Sequence, residues 1–382
     1  MGFLRGLFAR SGERLSSGQG TEAALVGARS WLFLAVPGLF LLSLAFLSYH
    51  LFDFKIFWEA GRHLLNGQRI YPSRAALDQE TRSYFIYPPV VAFSFVPFAL
   101  LPFALAGALY WLFAILATVL TLRVLGVTDK RCYVVLLFWM PLLQGIGLGT
   151  IGPFLALALA IAWKYRESVV VMPLALALAV VAKLFLWPLF LWLLAMRRWR
   201  AAAASGAATA ALLVVPWAFL GFRDFRWYPH ALRLLLDHEQ RLGFSTSVAL
   251  SAIHADLAVP VVQLLSVLAV LVLAGRHDGD RRSFSAAIVC ALLLSPLVWI
   301  HYFAILVVPI ALASRRFGWL WILPTLAIWP PPNNLGHAWV ATWILAVLGA
   351  AGALTLLPLT PRRRLSDRYP VVLPSEVASR PR

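Results

Sequence analysis

The chain has 382 residues, of which 61% are hydrophobic and 13% charged, with a formal net charge of +17. A soluble protein of this length cannot bury so much apolar surface. The composition therefore excludes an ordinary soluble domain and implies an all-α, polytopic membrane protein. The positive excess reads as cytoplasmic loops rather than a nucleic-acid site. Cys132 and Cys290 lie in apolar segments without metal-ligand spacing and are expected to be inert thiols.

Residues 1–30 carry Arg5, Arg10, Arg14 and Arg29, with no cleavage site before Trp31. They read as a cytoplasmic tail ahead of an uncleaved first helix. The start Met-Gly-Phe-Leu-Arg-Gly lacks the Ser/Thr that myristoylation needs. A transmembrane domain is expected over 31–360, followed by a cytoplasmic tail over 361–382 that looks disordered after Leu365.

The first apolar run ends in His50-Leu51-Phe52-Asp53-Phe54-Lys55-Ile56-Phe57-Trp58-Glu59. Asp53 stands where the chain leaves the membrane, and a carboxylate there can take a proton from a hydroxyl at the lipid surface. The competing reading is a helix cap for a surface helix beginning at Phe54. Glu59, six residues on, falls on a different helical face, so no cooperating carboxylate pair is expected.

An outer loop over 52–84 and another over 221–257 each carry an amphipathic pattern. Phe54, Phe57, Trp58, Gly61, Leu64 and Leu65 oppose Lys55, Glu59, Arg62 and His63; Leu232, Leu235, Leu236 and Leu242 oppose Arg233, Asp237 and Gln240. Both are expected to lie along the membrane interface. Ile86 through Pro102 reads as a re-entrant or surface piece before a span at 103–123.

Basic clusters punctuate the rest: Lys130-Arg131, Lys164/Arg166, Arg197-Arg198/Arg200, Arg276/Arg281-Arg282, Arg315-Arg316 and Arg362-Arg363-Arg364. The positive-inside rule puts them all on the cytoplasmic side, with both termini. Apolar stretches of roughly thirty residues between clusters suit pairs of short helices, giving about 12 transmembrane helices. Turns are expected at the glycine-rich run 145–152, near Lys183, at His301 and at Pro330-Pro331-Pro332-Asn333-Asn334. A helix of about 14 residues rises roughly 21 Å against a hydrocarbon layer of about 30 Å, so such turns line a recessed outer cavity. The glycine run resembles no phosphate loop and is expected to permit close packing.

The ordered set Asp53-Phe54, Gly67, Ile70-Tyr71, Tyr87-Pro88-Pro89, Pro97, Leu101-Pro102, Ala182-Lys183-Leu184, Pro188, Arg197-Arg198-Trp199 and Ser295-Pro296…Trp299…His301 resembles glycosyltransferase family 87. These are bacterial polyprenyl-phosphate-mannose-dependent mannosyltransferases of the membrane GT-C superfamily. The chain departs from the family at Gly149-Thr150-Ile151-Gly152, at Phe244-Ser245-Thr246-Ser247 and at His301-Tyr302, where the family commonly has His-His.

The resemblance implies a GT-C fold and an inverting transferase in the bacterial cytoplasmic (inner) membrane, acting at its outer face. Asp53 is implied as the catalytic base. The donor is a polyprenyl-phosphate sugar, mannose first and arabinofuranose as the alternative. The acceptor is a hydroxyl of a glycolipid, lipoglycan or glycan. A passive lipid-linked-sugar flippase is the non-enzymatic alternative. No metal or other cofactor is called for.

Lys183, His301 and Arg62 are the candidates for the donor phosphate. The bland readings are a snorkelling lysine, a histidine bonded to a backbone carbonyl, and an arginine on a solvated face. Trp58, Tyr71, Tyr87 and Trp299 are candidate sugar or lipid contacts, against an interfacial aromatic belt.

Overall fold

The computed structural model describes residues 35–45, 47, 50–72, 84–239, 242–328 and 336–357. The expected tails at 1–30 and 361–382 and the turn at Pro330–Asn334 lie outside the described residues. All regular structure among the described residues is helical.

In chain order the helices are α1 (Ala35–Ala45), α2 (Phe52–Leu65), α3 (Pro89–Ala99), α4 (Phe103–Val124), α5 (Lys130–Leu136), α6 (Met140–Leu148), α7 (Gly152–Lys164) and α8 (Val171–Ala182). A 3-10 turn, Leu184–Leu186, leads into α9 (Leu189–Ala195), then α10 (Trp199–Phe219), α11 (Tyr228–Glu239), α12 (Thr246–Ser251), α13 (Ala258–Ala274) and α14 (Gly279–Leu294). A second 3-10 segment, Ile300–Leu306, precedes α15 (Val307–Ala313) and α16 (Trp319–Ile322); a third, Leu323–Ile328, precedes α17 (Gly336–Leu354).

Among the described residues, α4 and α10 are each long and apolar enough to cross a membrane alone, and α5 with α6 forms one span bent by 65°. The remaining apolar helices are shorter, as the spacing of the basic clusters implies. The breaks fall where the hydrophobic runs are interrupted. Gly149 takes a left-handed conformation (φ 70°) after α6, Lys183 is extended after α8, and Ser295–Trp299 separate α14 from the 3-10 segment.

Two ends of the bundle can be told apart from chemistry. Arg166 after α7, Arg198 before α10 and Trp192 of α9 all converge on Asp280 in the first turn of α14, at 2.9, 3.1 and 2.9 Å. Asp129 caps α5 through the Arg131 amide at 3.1 Å and accepts from the Phe317 amide at 3.0 Å, beside Arg315-Arg316. Arg281 and Arg282 donate to carbonyls of Thr355 and Leu356. Among the described residues, the clusters that hold Arg131, Arg166, Arg198, Arg281 and Arg315 thus gather at one end. Helices α7, α8 and α14, and α15 together with the 3-10 segment before it, each have one terminus there and the other at residues 150–152, Lys183, Ser295 or Ile300. Those second termini meet at the opposite end, around a cavity.

Helix α2 closes one wall of that cavity. Phe54 and Phe57 are 0% and 1% exposed, and Phe54 sits in a ring cluster with Phe95, Phe98, Phe103 and Tyr110. Small residues let the backbones approach: a side chain at Gly61 would meet the Phe95 carbonyl at 3.0 Å, and one at Gly149 would meet Phe54 Cβ at 2.6 Å. The glycine-rich run does serve close packing, as expected.

Candidate active site

A cavity of about 680 Å³ opens between α2, the α8 break, the Ser295–Tyr302 segment and α11. That lies within the roughly 300–1,000 Å³ of typical ligand sites.

Asp53 lines it. Helix α2 begins at Phe52, with Leu51 in the N-cap position. Asp53 is thus already inside the first turn and is not the cap. Leu51 is left-handed (φ 53°), and its amide donates to the Gly147 carbonyl at 3.1 Å, pinning the start of α2 to the end of α6. Among the described residues nothing hydrogen-bonds the Asp53 carboxylate. Burial pushes its pKa up to about 6; the Lys183 charge opposes that rise and the Glu239 charge adds to it.

Lys183 also lines the cavity. Its Nζ donates to the hydroxyls of Tyr87 at 2.9 Å and Tyr302 at 2.5 Å, and lies 4.5 and 4.1 Å from the centres of the same rings. It therefore does not snorkel to the surface. An ammonium has three donors, so two tyrosines leave a third for a ligand. Lys183 and Asp53 feel each other's charge without forming an ion pair. Tyr302 stacks on Phe185 (interplanar angle 7°), which holds the hydroxyl towards Lys183.

His301 is 6% exposed and packs against Tyr302, and its Nδ1 has no hydrogen-bond partner. The expected bond to a backbone carbonyl is thus not made at that atom. Gln144, on α6, and Tyr228, on α11, also line the cavity, while the Gln144 Oε1 and Tyr228 hydroxyl atoms themselves are buried without a partner. Tyr87 and Trp299 line it too.

Three expected site residues lie elsewhere. Arg62 is on the exposed face of α2, its guanidinium 5.0 Å over the Trp58 ring, because helical spacing turns it away from Asp53. Trp58 points the other way from the cavity and donates to the Phe98 and Leu101 carbonyls at 3.2 Å each, clamping α2 to the end of α3. Tyr71 is 4% exposed, stacks on Trp217, and donates to the Tyr87 carbonyl at 2.7 Å. It supports Tyr87 from behind.

One carboxylate in the cavity lies outside the motifs read from the sequence. Glu239 is 8% exposed, at the end of α11. No carboxylate pair was expected because Glu59 was the neighbour in sequence; the partner arrives from a helix almost two hundred positions away. A signal existed: Glu239 continues the Leu232, Leu235, Leu236 face at helical spacing, an acid in an apolar register. That face also corrects the expected placement of α11. Leu232, Leu235, Leu236 and Leu242 line the cavity, so α11 roofs it rather than lying only on the interface. Among the described residues no three His, Cys, Asp or Glu side chains come together as a metal site.

Residues 85–300, more than half of the chain, match the sequence model of glycosyltransferase family 87. The chain belongs to this family. It is also 25% identical over 316 residues to the polyprenol-phosphate-mannose-dependent alpha-(1-2)-phosphatidylinositol pentamannoside mannosyltransferase of Mycolicibacterium smegmatis, an alignment covering 71% of this chain and 75% of the relative. No solved structure gives a significant match. With its apolar helices, the family 87 chain is a membrane glycosyltransferase. The family match spans Tyr87, Lys183, Glu239 and Trp299 but starts after Asp53. The part given to Asp53 therefore rests on geometry.

Proposed function

We propose that this family 87 protein transfers mannose from a polyprenyl-phosphate donor to a hydroxyl of a glycolipid or glycan, with inversion, at the outer face of the bacterial cytoplasmic membrane. The observation that carries the reading is one cavity lined by both a carboxylate and an ammonium that form no ion pair, beneath an apolar roof. A base without a partner and a cation with a spare donor are what displacement of a phosphate by a hydroxyl requires.

Asp53 takes the acceptor hydroxyl's proton as that oxygen bonds to the anomeric carbon. The bond from that carbon to the phosphate oxygen breaks, and its electron pair leaves with the polyprenyl phosphate. Lys183 meets the growing phosphate charge, with His301 beside it. Tyr87 and Tyr302 hold the Lys183 head in place, and the leucines of α11 suit a polyprenyl chain. Mannose is favoured by the printed activity of the relative in Mycolicibacterium smegmatis. The outer-face placement is supported by the cavity lying at the end of the bundle opposite the basic clusters. Both termini then lie in the cytoplasm, the sugar donor is a co-substrate, and no cofactor takes part.

Purified protein in nanodiscs, given polyprenyl-phosphate-mannose or polyprenyl-phosphate-arabinofuranose with a bacterial glycolipid extract, tests the reading. Mannosylated product is the expected result. Arabinosylated product alone would replace the donor, and movement of donor between leaflets without product would replace the enzyme by a flippase.

A further inference from the structure

A second pocket, of about 350 Å³, lies at the far end of α2 from Asp53. Leu64, Phe93 and Phe219 give it apolar walls, and Arg69, Arg223 and Asp224 line its polar side. Eleven residues of α2 separate Asp53 from Leu64, about 17 Å along a helix axis, so this pocket is not the cavity that holds Lys183.

Helix α10 fixes its depth. It starts beside Arg198, at the basic end, and is long enough to cross the membrane alone. Phe219, its last residue, therefore stands at the membrane boundary on the cavity side. Val215 and Phe219, one turn apart, are both exposed, Phe219 by 79%, and so face lipid. Phe219 also meets the Phe93 ring at 6.2 Å, which joins this lipid-facing surface to the pocket wall.

The turn after α10 has an unfavourable backbone. Gly221, Phe222 and Asp224 are all left-handed (φ 60°, 54° and 63°), a conformation that suits glycine and not a bulky side chain such as Phe222. Such strain persists where the surroundings over-determine it. Here the Asp224 carboxylate accepts from Arg69 Nε at 3.2 Å and from a second Arg69 nitrogen. The turn leaves the Phe222 and Phe225 rings and the Arg223 guanidinium exposed.

Arg69 and Asp224 neutralise each other, which leaves the charge of Arg223. Among the described residues neither Arg223 nor Arg226 has an ion-pair partner. The positive-inside rule accounts for arginines at the basic end, not for these two at the other. A guanidinium with paired N–H donors, beside a lipid-facing aromatic wall, suits a phosphate carried on hydrocarbon chains. A zwitterionic headgroup would also need a carboxylate for its own cation. The Asp224 carboxylate is 5% exposed and already engaged.

We propose that this pocket binds the headgroup of an anionic phospholipid from the leaflet at the cavity end. Its phosphate lies on Arg223 and its chains run along Phe219 and Val215. The bound lipid bridges the end of α2 and the end of α10. The site stands whether or not the transferase reading does.

The test uses the full chain in detergent, with native mass spectrometry of the first lipid bound. Phosphatidylglycerol, phosphatidylcholine and free glycerol phosphate are the probes. Wild type is expected to bind phosphatidylglycerol at least about tenfold more tightly than phosphatidylcholine, and Arg223→Gln to lose about tenfold for phosphatidylglycerol, the worth of a charge-assisted contact. Arg226→Gln, on the same turn but outside the pocket, should stay within about twofold. Phe219→Ala should weaken phosphatidylglycerol by about threefold or more through lost apolar contact, and decides the matter if Arg223→Gln does not fold.

Equal binding of the two phospholipids would overturn the proposal. So would phosphatidylglycerol binding that ignores Arg223→Gln, or that falls as much with Arg226→Gln, since the latter means diffuse attraction to a basic surface. Displacement of phosphatidylglycerol by equimolar glycerol phosphate would also overturn it, because the chains would then contribute nothing.

Discussion

Lys183 donates to the Tyr302 hydroxyl at 2.5 Å, and the same Nζ donates to Tyr87 at 2.9 Å. One side chain thus ties three separate chain segments: the break after α8, the loop before α3 and the 3-10 segment after α14. Replacing Lys183 by Met is expected to cut transfer by about 10²–10³-fold, the usual cost of losing one donor to a developing charge. It also leaves two tyrosine hydroxyls unmatched, at roughly 1–3 kcal/mol each. Tyr302→Phe keeps the cation and should cost less in turnover than Lys183→Met. Steady-state rates and thermal unfolding of the three proteins check this. Equal turnover by Lys183→Met and wild type would remove Lys183 from the reaction.

Gly149→Ala should harm the enzyme without touching the cavity. The new Cβ would lie 2.6 Å from Phe54 Cβ, and the backbone is left-handed there (φ 70°). Phe54 adjoins Asp53, so either α2 shifts or the α6–α7 turn does. A loss of about 1–3 kcal/mol is expected, together with lower turnover. Gly206→Ala in α10, where nothing lies within 4 Å of the new carbon, is the control and should lose neither. Unfolding midpoints compare the two directly.

The activity should rise with pH. Asp53 must be deprotonated to act as base, and burial holds its pKa at about 6. The rate constant kcat/KM is therefore expected to fall about tenfold per unit below that value and to level off above it. Lys183 lowers the Asp53 value and Glu239 raises it. Glu239→Gln should move the midpoint to lower pH, and Lys183→Met should move it to higher pH. A profile of kcat/KM between pH 4 and 8 checks both signs.

Arg62 offers a contrast. It is exposed and rests on Trp58, away from the cavity. Arg62→Ala should leave turnover and donor KM within about twofold, as for most surface substitutions. A large rise in donor KM would restore Arg62 as a phosphate ligand.

Much of the fold was legible because membrane helices are written in hydrophobic runs and their interruptions. Gly149 and Lys183 break such runs and each marks an observed break; the break expected at His301 falls just before it, at residues 295–299, and His301 lies in the 3-10 segment that follows. The clusters at Arg166, Arg198 and Arg281 are far apart in sequence yet share one end of the bundle, which the charge rule anticipates. Asp53 stood out because an acid at the edge of an apolar run is costly unless it has a use. Less was visible where meaning depends on which way a helix is rotated. Trp58, Arg62 and Tyr71 sit in the right loop but face away from the cavity. Glu239, Gln144, Tyr228 and Tyr302 were missed because their importance comes from contacts between distant segments. For Glu239 the register of α11 alone carried a hint.

The central claim is that Asp53 is the base of a polyprenyl-phosphate-sugar transferase. It is tested most directly by mannose transfer from radiolabelled polyprenyl-phosphate-mannose to a bacterial glycolipid extract, comparing wild type with Asp53→Asn. The folded variant is expected to bind donor still but to lose about 10²–10⁴-fold in transfer, the contribution of a general base. Equal transfer by the two proteins would contradict it.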